Sequence, residues 1–136
     1  MGFVSPGGAV VGKSHLYDVP RMLTLNLWAL GGDWTVSGGA VALDKPNGRI
    51  VYRFHARDVH LVMGPTARGS SVRFRVLLDG QPPANAHGTD VDEQGFGTVT
   101  DPRLYQLIRQ SGPIADQLFE IEFLDHGVEA YVFTFG

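Results

Sequence analysis

Ionisable residues recur at alternate positions in three separate stretches: Arg53 and His55, Arg73 and Arg75, Glu120 and Glu122. Side chains two residues apart on an extended strand point to the same side, so each pair shares a face. If 49–55, 71–79 and 117–124 lie in one sheet, these residues form a mixed-charge surface suited to an anionic or sugar ligand. The same arrangement can also satisfy itself, because arginines facing glutamates make cross-strand ion pairs that contribute about 0.2–1 kcal/mol each on a solvated face. Glu120 and Glu122, roughly 7 Å apart by strand rise, have a separation compatible with paired-carboxylate glycan hydrolysis. Neighbours on one strand face have no opposing cleft, however, and that chemistry works from two sides.

Three further groupings carry chemistry. Trp28, Trp34 and Tyr105 are the aromatic platforms available for stacking on a pyranose ring, although tryptophan is more commonly packed inside a fold. The loop Asp90 to Asp101, DVDEQGFGTVTD, places acids at its first, third and twelfth positions and a glycine at its sixth. That spacing resembles an EF-hand loop, and its oxygens would suit Ca²⁺ through Asp90, Asp92 and Asp101. The pattern is degraded: Gln94 stands where a shorter acid or amide is usual, Asp101 is shorter than the usual glutamate, and no helices are expected to flank the loop. A turn-forming acidic loop is the competing expectation. The five histidines, His15, His55, His60, His87 and His126, show no close metal-ligand spacing, and no GxSxG nucleophile elbow occurs.

The elements that must position these residues are short strands. Within 49–80, Ile50, Tyr52 and Phe54 alternate with Arg49, Val51, Arg53 and His55; a second run follows at 59–63, and Val72, Phe74, Val76 and Leu78 alternate with Arg73, Arg75 and Asp79. Three successive antiparallel strands are expected, with one apolar and one partly charged face. Residues 22–28 read as an earlier strand with Leu23, Leu25 and Leu27 on one side, ended by a turn at Gly31-Gly32. Residues 34–36 and 40–43 read as a hairpin around Ser37-Gly38-Gly39. Residues 81–97 read as a long loop, and 98–100 as a short strand. For 103–110 the spacing permits a strand or two helical turns, and its strand neighbours favour the strand. Finally, 117–124 and 128–135 alternate on either side of Asp125-His126-Gly127 and read as a closing hairpin.

Roughly eight or nine short strands with turns about every 8 to 12 residues predict an all-β, two-sheet antiparallel sandwich of jelly-roll type. Residues 1–20, without period, read as an extended lead-in anchored by Leu16 and Tyr17, and 21–136 as a single β-sandwich domain. At 136 residues such a chain buries about two thirds of its unfolded surface, enough for a core of its own. The 18 glycines and 8 prolines fit a fold rich in turns. A net charge of −3 gives no positive field for nucleic acid. The absence of cysteine removes disulfides, thiolate metal sites and dithiol redox chemistry from this chain. The opening MGFVSPGGAVVG is not a signal peptide, and no apolar run reaches the length of a membrane span, so no membrane contact by this segment is expected. The natural polypeptide is equally able to extend beyond Met1.

The segments NLWALGGDWTV, GRIVYRFHARDVHLVMGP, VRFRVLLDG, DPRLYQLIRQ and FEIEFLDHGVEAYVFTFG, taken in order from about Gly2 to Gly136, resemble one family. It is the C-terminal domain that follows the thioredoxin-like domain in bacterial DipZ-type, cytochrome c biogenesis and thiol–disulfide exchange proteins. The resemblance implies a carbohydrate-binding-module-like jelly roll, held outside the cytoplasm in the periplasm or cell envelope, downstream of a thioredoxin fold. Redox activity in that family belongs to a Cys-x-x-Cys pair, so none transfers to this chain, and no catalytic residue or cofactor does either. The expectation is a noncatalytic accessory module that binds the thioredoxin-like domain of its own polypeptide, a protein partner or an envelope saccharide. An autonomous lectin-like binder is the alternative, with Trp or Tyr stacking on a sugar and Arg53 or Arg75 touching its hydroxyls.

Overall fold

The computed structural model describes residues 2–5 and 8–136; Pro6 and Gly7, read above as part of the lead-in, lie outside the described residues. In chain order the strands are β1 (Gly2–Val4), β2 (Ser14–Tyr17), β3 (Leu27–Val36), β4 (Val41–Leu43), β5 (Gly48–His55), β6 (Asp58–Pro65), β7 (Val72–Leu78), β8 (Phe96–Val99), β9 (Arg103–Arg109), β10 (Asp116–Phe123) and β11 (Val128–Phe135). The only helical piece among the described residues is one 3-10 turn, Ala84–Ala86.

The strands form two layers joined through β3. Its first half pairs with β5 and belongs to the order β8-β7-β10-β5-β3; its second half pairs with β4 and begins the order β3-β4-β11-β6-β9. The bend between the halves falls at Gly31-Gly32, which is why those glycines lie inside a strand and not in the expected turn. Gly32 has φ +103°, and a Cβ placed there would stand 2.9 Å from the Cα of Gly48, so only glycine lets the two backbones approach this closely.

The expected strand over 22–28 is a different structure. Asn26 takes a left-handed φ of +67°, and the N–H of Leu27 donates to the carbonyl of Thr24 at 3.1 Å, so the chain turns where the leucine alternation suggested continuity. Residues 18–27 instead lie over the outer face of the first sheet. There Leu23, Ala29 and Val51 form a second small apolar cluster with Val19, Leu27 and Leu118. Residues read as a lead-in supply two strands: β1 runs parallel to β3, and β2 pairs antiparallel with its second half. Tyr17 is buried as expected, whereas Leu16 is 65% exposed and anchors nothing.

The sharpest correction concerns pairing. β10 and β11 make no hairpin: β10 pairs with β5 and β7, and β11 with β4 and β6. Asp125-His126-Gly127 carries the chain from one sheet across to the other. The same holds within 49–80, where β5, β6 and β7 are successive but none pairs with the next; they alternate between sheets. Their inward side chains meet across the core. Phe119 of β10 packs edge-on against Phe133 of β11 with ring centroids 5.9 Å apart, Tyr52 does so against Phe133 at 5.2 Å, and Trp34 against Phe123 at 5.9 Å.

The inward set expected on 117–124, Phe119, Ile121 and Phe123, is buried, with Glu120 and Glu122 pointing outward. The strand reading of 103–110 also holds, as β9, and its neighbour β8 begins at Phe96, inside the stretch expected to be loop.

Candidate functional site: a notch between the sheets

The charged residues do gather on one face. β7, β10 and β5 are adjacent, and Glu122 stands in register between Arg49 and Arg75. Local partners absorb most of these charges. Arg49, outside the candidate set, approaches Glu120 at 3.3 Å. Arg53 donates through Nε to the carbonyl of Leu23 at 3.0 Å, and Arg75 to that of Gln94 at 3.2 Å. The Arg75 guanidinium also lies 5.0 Å from the Phe96 ring centroid. Arg73 grips Asp125 through Nη2 at 2.8 Å, and His55 Nδ1 contacts Asp116 at 2.7 Å. The residue 18–27 segment occupies the apolar part of this face. What remains is a set of ion pairs around a small apolar patch, and Glu120 and Glu122 share one strand face.

The acidic loop does not converge on a cation. Asp90 accepts from Arg103 Nη2 at 2.8 Å and from the Gln106 N–H at 2.7 Å. Burial works to raise the Asp90 carboxyl, but the Arg103 guanidinium and the Gln106 N–H together outweigh it and hold the group below its ordinary value. Asp92 turns back on its own loop, accepting from the N–H groups of Gln94 at 3.0 Å and Phe96 at 2.9 Å. Asp101 contributes its backbone, its carbonyl accepting from the Tyr105 hydroxyl at 2.7 Å. Among the described residues no group of three or more His, Asp and Glu is placed to hold a metal.

Of the aromatic platforms, Trp34 and Tyr105 are 0% exposed and present no face to a ligand. Trp34 closes the core beside the β3 bend, with Nε1 donating to the Gly31 carbonyl at 2.9 Å. Trp28 differs. It is half-buried at the start of β3, packed against Phe3 with ring centroids 4.7 Å apart, and it lines a cavity of about 230 Å³. Because it shares the inward face of its sheet with Leu30 and Tyr52, Trp28 lies on the opposite side from Arg53, His55 and Arg75. A ligand on Trp28 therefore does not reach those cations.

The cavity is a wedge where the second sheet splits. One wall is the tip of the β3–β4 hairpin, Ser37 to Ala40; the other is β11 at Tyr131 to Phe133; Trp28, Ile50 and Leu61 lie between them. Two local features open it. Ser37 closes the hairpin tip on itself, its N–H donating to the Ala40 carbonyl at 2.9 Å, and β11 carries a bulge between Ala130 and Val132 that leaves Tyr131 46% exposed. Bulges of this kind re-aim side chains. The sequence held a trace of it in the consecutive apolar run Ala130-Tyr131-Val132-Phe133, which breaks the alternation of its strand. Among the described residues, Tyr131 is the only titratable side chain lining the notch.

Fold and notch together define an all-β sandwich domain with an apolar opening that, among the described residues, no charged side chain lines. The chain belongs to the thioredoxin-like C-terminal domain family, which it matches over residues 1–136. It is 34% identical over 130 residues to protein DipZ of Mycobacterium bovis and to protein DipZ of Mycobacterium tuberculosis, covering 96% of this chain and 16% of each relative. The chain thus spans about one sixth of the length of the curated relatives it matches. Among solved structures it is similar to a family two carbohydrate esterase from Clostridium thermocellum in complex with cellohexaose, with 10% identity, a TM-score of 0.45, and 72% of this chain and 27% of that one covered. It is also similar to CsCBM6-3 from Clostridium stercorarium in complex with cellobiose, with 12% identity, a TM-score of 0.42, and 98% and 91% covered. At those scores the likeness transfers no ligand; the two-sheet assignment stands on the strand pairing of this chain. No helix among the described residues is long and apolar enough to cross a membrane.

Proposed function

We propose that this chain is a noncatalytic accessory module of an extracytoplasmic thioredoxin-family polypeptide, holding a protein partner or its own thioredoxin-like domain while thiol–disulfide exchange takes place elsewhere. The observation that carries this reading is the composition of the notch. Among the described residues it is lined by apolar surface and two hydroxyls, those of Ser37 and Tyr131, and by no carboxylate, imidazole or amine side chain that could move a proton. The chain as a whole has no thiol to exchange. Membership in the thioredoxin-like C-terminal domain family supports the placement beside a redox domain. A tethered binding surface acts there by raising the local concentration of what it holds.

The test compares disulfide exchange by a thioredoxin-like domain fused to this module with exchange by the same domain alone, together with association of the separated parts. Association, or an altered exchange rate toward a protein substrate, is the expected result. Neither effect, or disulfide reductase turnover by the purified 136-residue chain, overturns the reading. A lectin-like role is the second reading, favoured by the indole of Trp28 at the notch and by the Tyr131 hydroxyl beside it; millimolar envelope saccharides that bind without perturbing Trp28 rule it out at this place.

A further inference from the structure

The geometry points to a single extended peptide segment of a partner protein as the occupant of the notch, added as a strand along β11 from Tyr131 to Phe135. This rests on the binding-module reading and names the partner's chemistry. β6 accompanies β11 from Val128 to Phe135, whereas β4 pairs with it only at Glu129↔Ala42 and Ala130↔Val41. From Tyr131 onward, among the described residues, β11 has a strand on one side alone. A row of backbone N–H and C=O groups without a neighbour is a template for another strand, and strand addition with side chains entering pockets alternately is a recurrent mode of peptide recognition.

The walls select what fits. The gap is walled by β11 on one side and by the hairpin tip on the other, a setting for one extended chain and not for the sheet edge of a second folded copy. Among the described residues, no atom outside the adjacent residues lies within 4 Å of where a Cβ would stand on Gly38 or Gly39, leaving the tip unobstructed. The cavity, about 230 Å³, lies below the roughly 300–1,000 Å³ of small-molecule sites, a size for one or two inserted side chains. Among the described residues no charged side chain lines it, so those inserted side chains are neutral and apolar. A second feature agrees: Phe135 is on the inward alternation of β11, stacked on Phe54 with centroids 5.9 Å apart, yet 38% exposed. An added strand covers it.

The probe is a capped, lysine-flanked peptide in which threonine alternates with valine and phenylalanine. It is tested on the full chain beside a copy N-methylated at every second residue and beside cellohexaose. Amide exchange at Tyr131 to Phe135 is expected to slow by about tenfold or more on peptide binding, with a shift of the Trp28 indole signal. The N-methylated copy, with the same side chains but without half of its donors, is expected to bind about tenfold more weakly or worse. Unchanged exchange at 131–135 with millimolar peptide, or equal binding by the N-methylated copy, overturns the added strand. Cellohexaose shifting Trp28 where the peptide does not also overturns it, while leaving the binding-module reading intact.

Discussion

Asp125 accepts three hydrogen bonds from one residue, Arg73: from its backbone N–H at 2.9 Å, from Nε at 3.0 Å and from Nη2 at 2.8 Å. The contact ties the crossing between β10 and β11 to the start of β7. The Arg73 side chain, then its N–H, bring the Asp125 carboxyl down from 3.8 to about 2. Because the folded value is the lower one, this stabilisation is complete above the ordinary carboxylate range and is lost as pH falls through about 2. With solvent screening of a surface pair it amounts to about 1 kcal/mol. Asp125→Asn is expected to unfold at lower denaturant than the parent at neutral pH, and the gap is expected to close as unfolding is measured down toward pH 2.

Gly32 is the hinge of the molecule. An alanine there must adopt φ +103° with its methyl 2.9 Å from Gly48 Cα, and neither backbone can yield without disturbing both sheets. Gly32→Ala is expected to cost about 2–4 kcal/mol in urea unfolding. Gly38→Ala, with open space around it and an ordinary backbone, is expected to change stability by less than about 0.5 kcal/mol. Equal effects would contradict the bend.

Periodicity made the inward faces legible: Ile50, Tyr52, Phe54, Phe119, Ile121 and Phe123 were all placed by alternation and all are buried. Pairing was not legible, because a strand buried on one face has the same pattern whether the next strand lies beside it or across the core. Asp125-His126-Gly127 supports either a hairpin or a crossing. The gathering of Arg75 and Glu122 on one face was foreseen, but backbone acceptors such as the Leu23 and Gln94 carbonyls, which take up Arg53 and Arg75, have no signature in side-chain types. The notch was hidden for the same reason. It arises because β4 begins only at Val41 and leaves Tyr131 without a partner strand on that side, and strand length is the weakest thing alternation reports.

Tyr105 anchors a corner. Its hydroxyl donates to the Asp101 carbonyl at 2.7 Å and accepts from the N–H groups of Thr100 at 3.0 Å and Asp101 at 3.2 Å, with the Arg103 guanidinium 3.8 Å from its ring centroid. Such a bond back to the chain a few residues upstream is the tyrosine-corner device of Greek-key sandwiches. Tyr105→Phe keeps the packing and leaves those groups unmet. A loss of about 1–3 kcal/mol is expected, with an unchanged denaturant slope showing that the folded state is otherwise intact.

The Asp90 to Asp101 loop is closed by its own bonds, and this gives it a distinct response to calcium. Millimolar Ca²⁺ is expected to leave the thermal midpoint where it was, since a ligand stabilises only by binding the folded state and both oxygens of Asp90 are already engaged. Asp92→Ala, which frees the N–H groups of Gln94 and Phe96, is expected to lower the midpoint equally with and without the ion.

The two tryptophans are expected to separate by accessibility. Trp34 is sealed against Phe123 with its N–H bonded to Gly31, so acrylamide should barely quench it, whereas Trp28 borders an open notch and should quench readily. Trp28→Phe removes the quenchable emission and keeps most of the contact with Phe3. Trp34→Phe removes a buried hydrogen bond and leaves unfilled volume beside Gly48, whose Cα side faces Trp34 Nε1, at a cost of roughly 2–4 kcal/mol. Because the partner strand proposed above would cover Trp28, the bound peptide should lower quenching in the parent chain and have no effect on quenching in Trp28→Phe. Protection of Trp34 instead would place the peptide elsewhere.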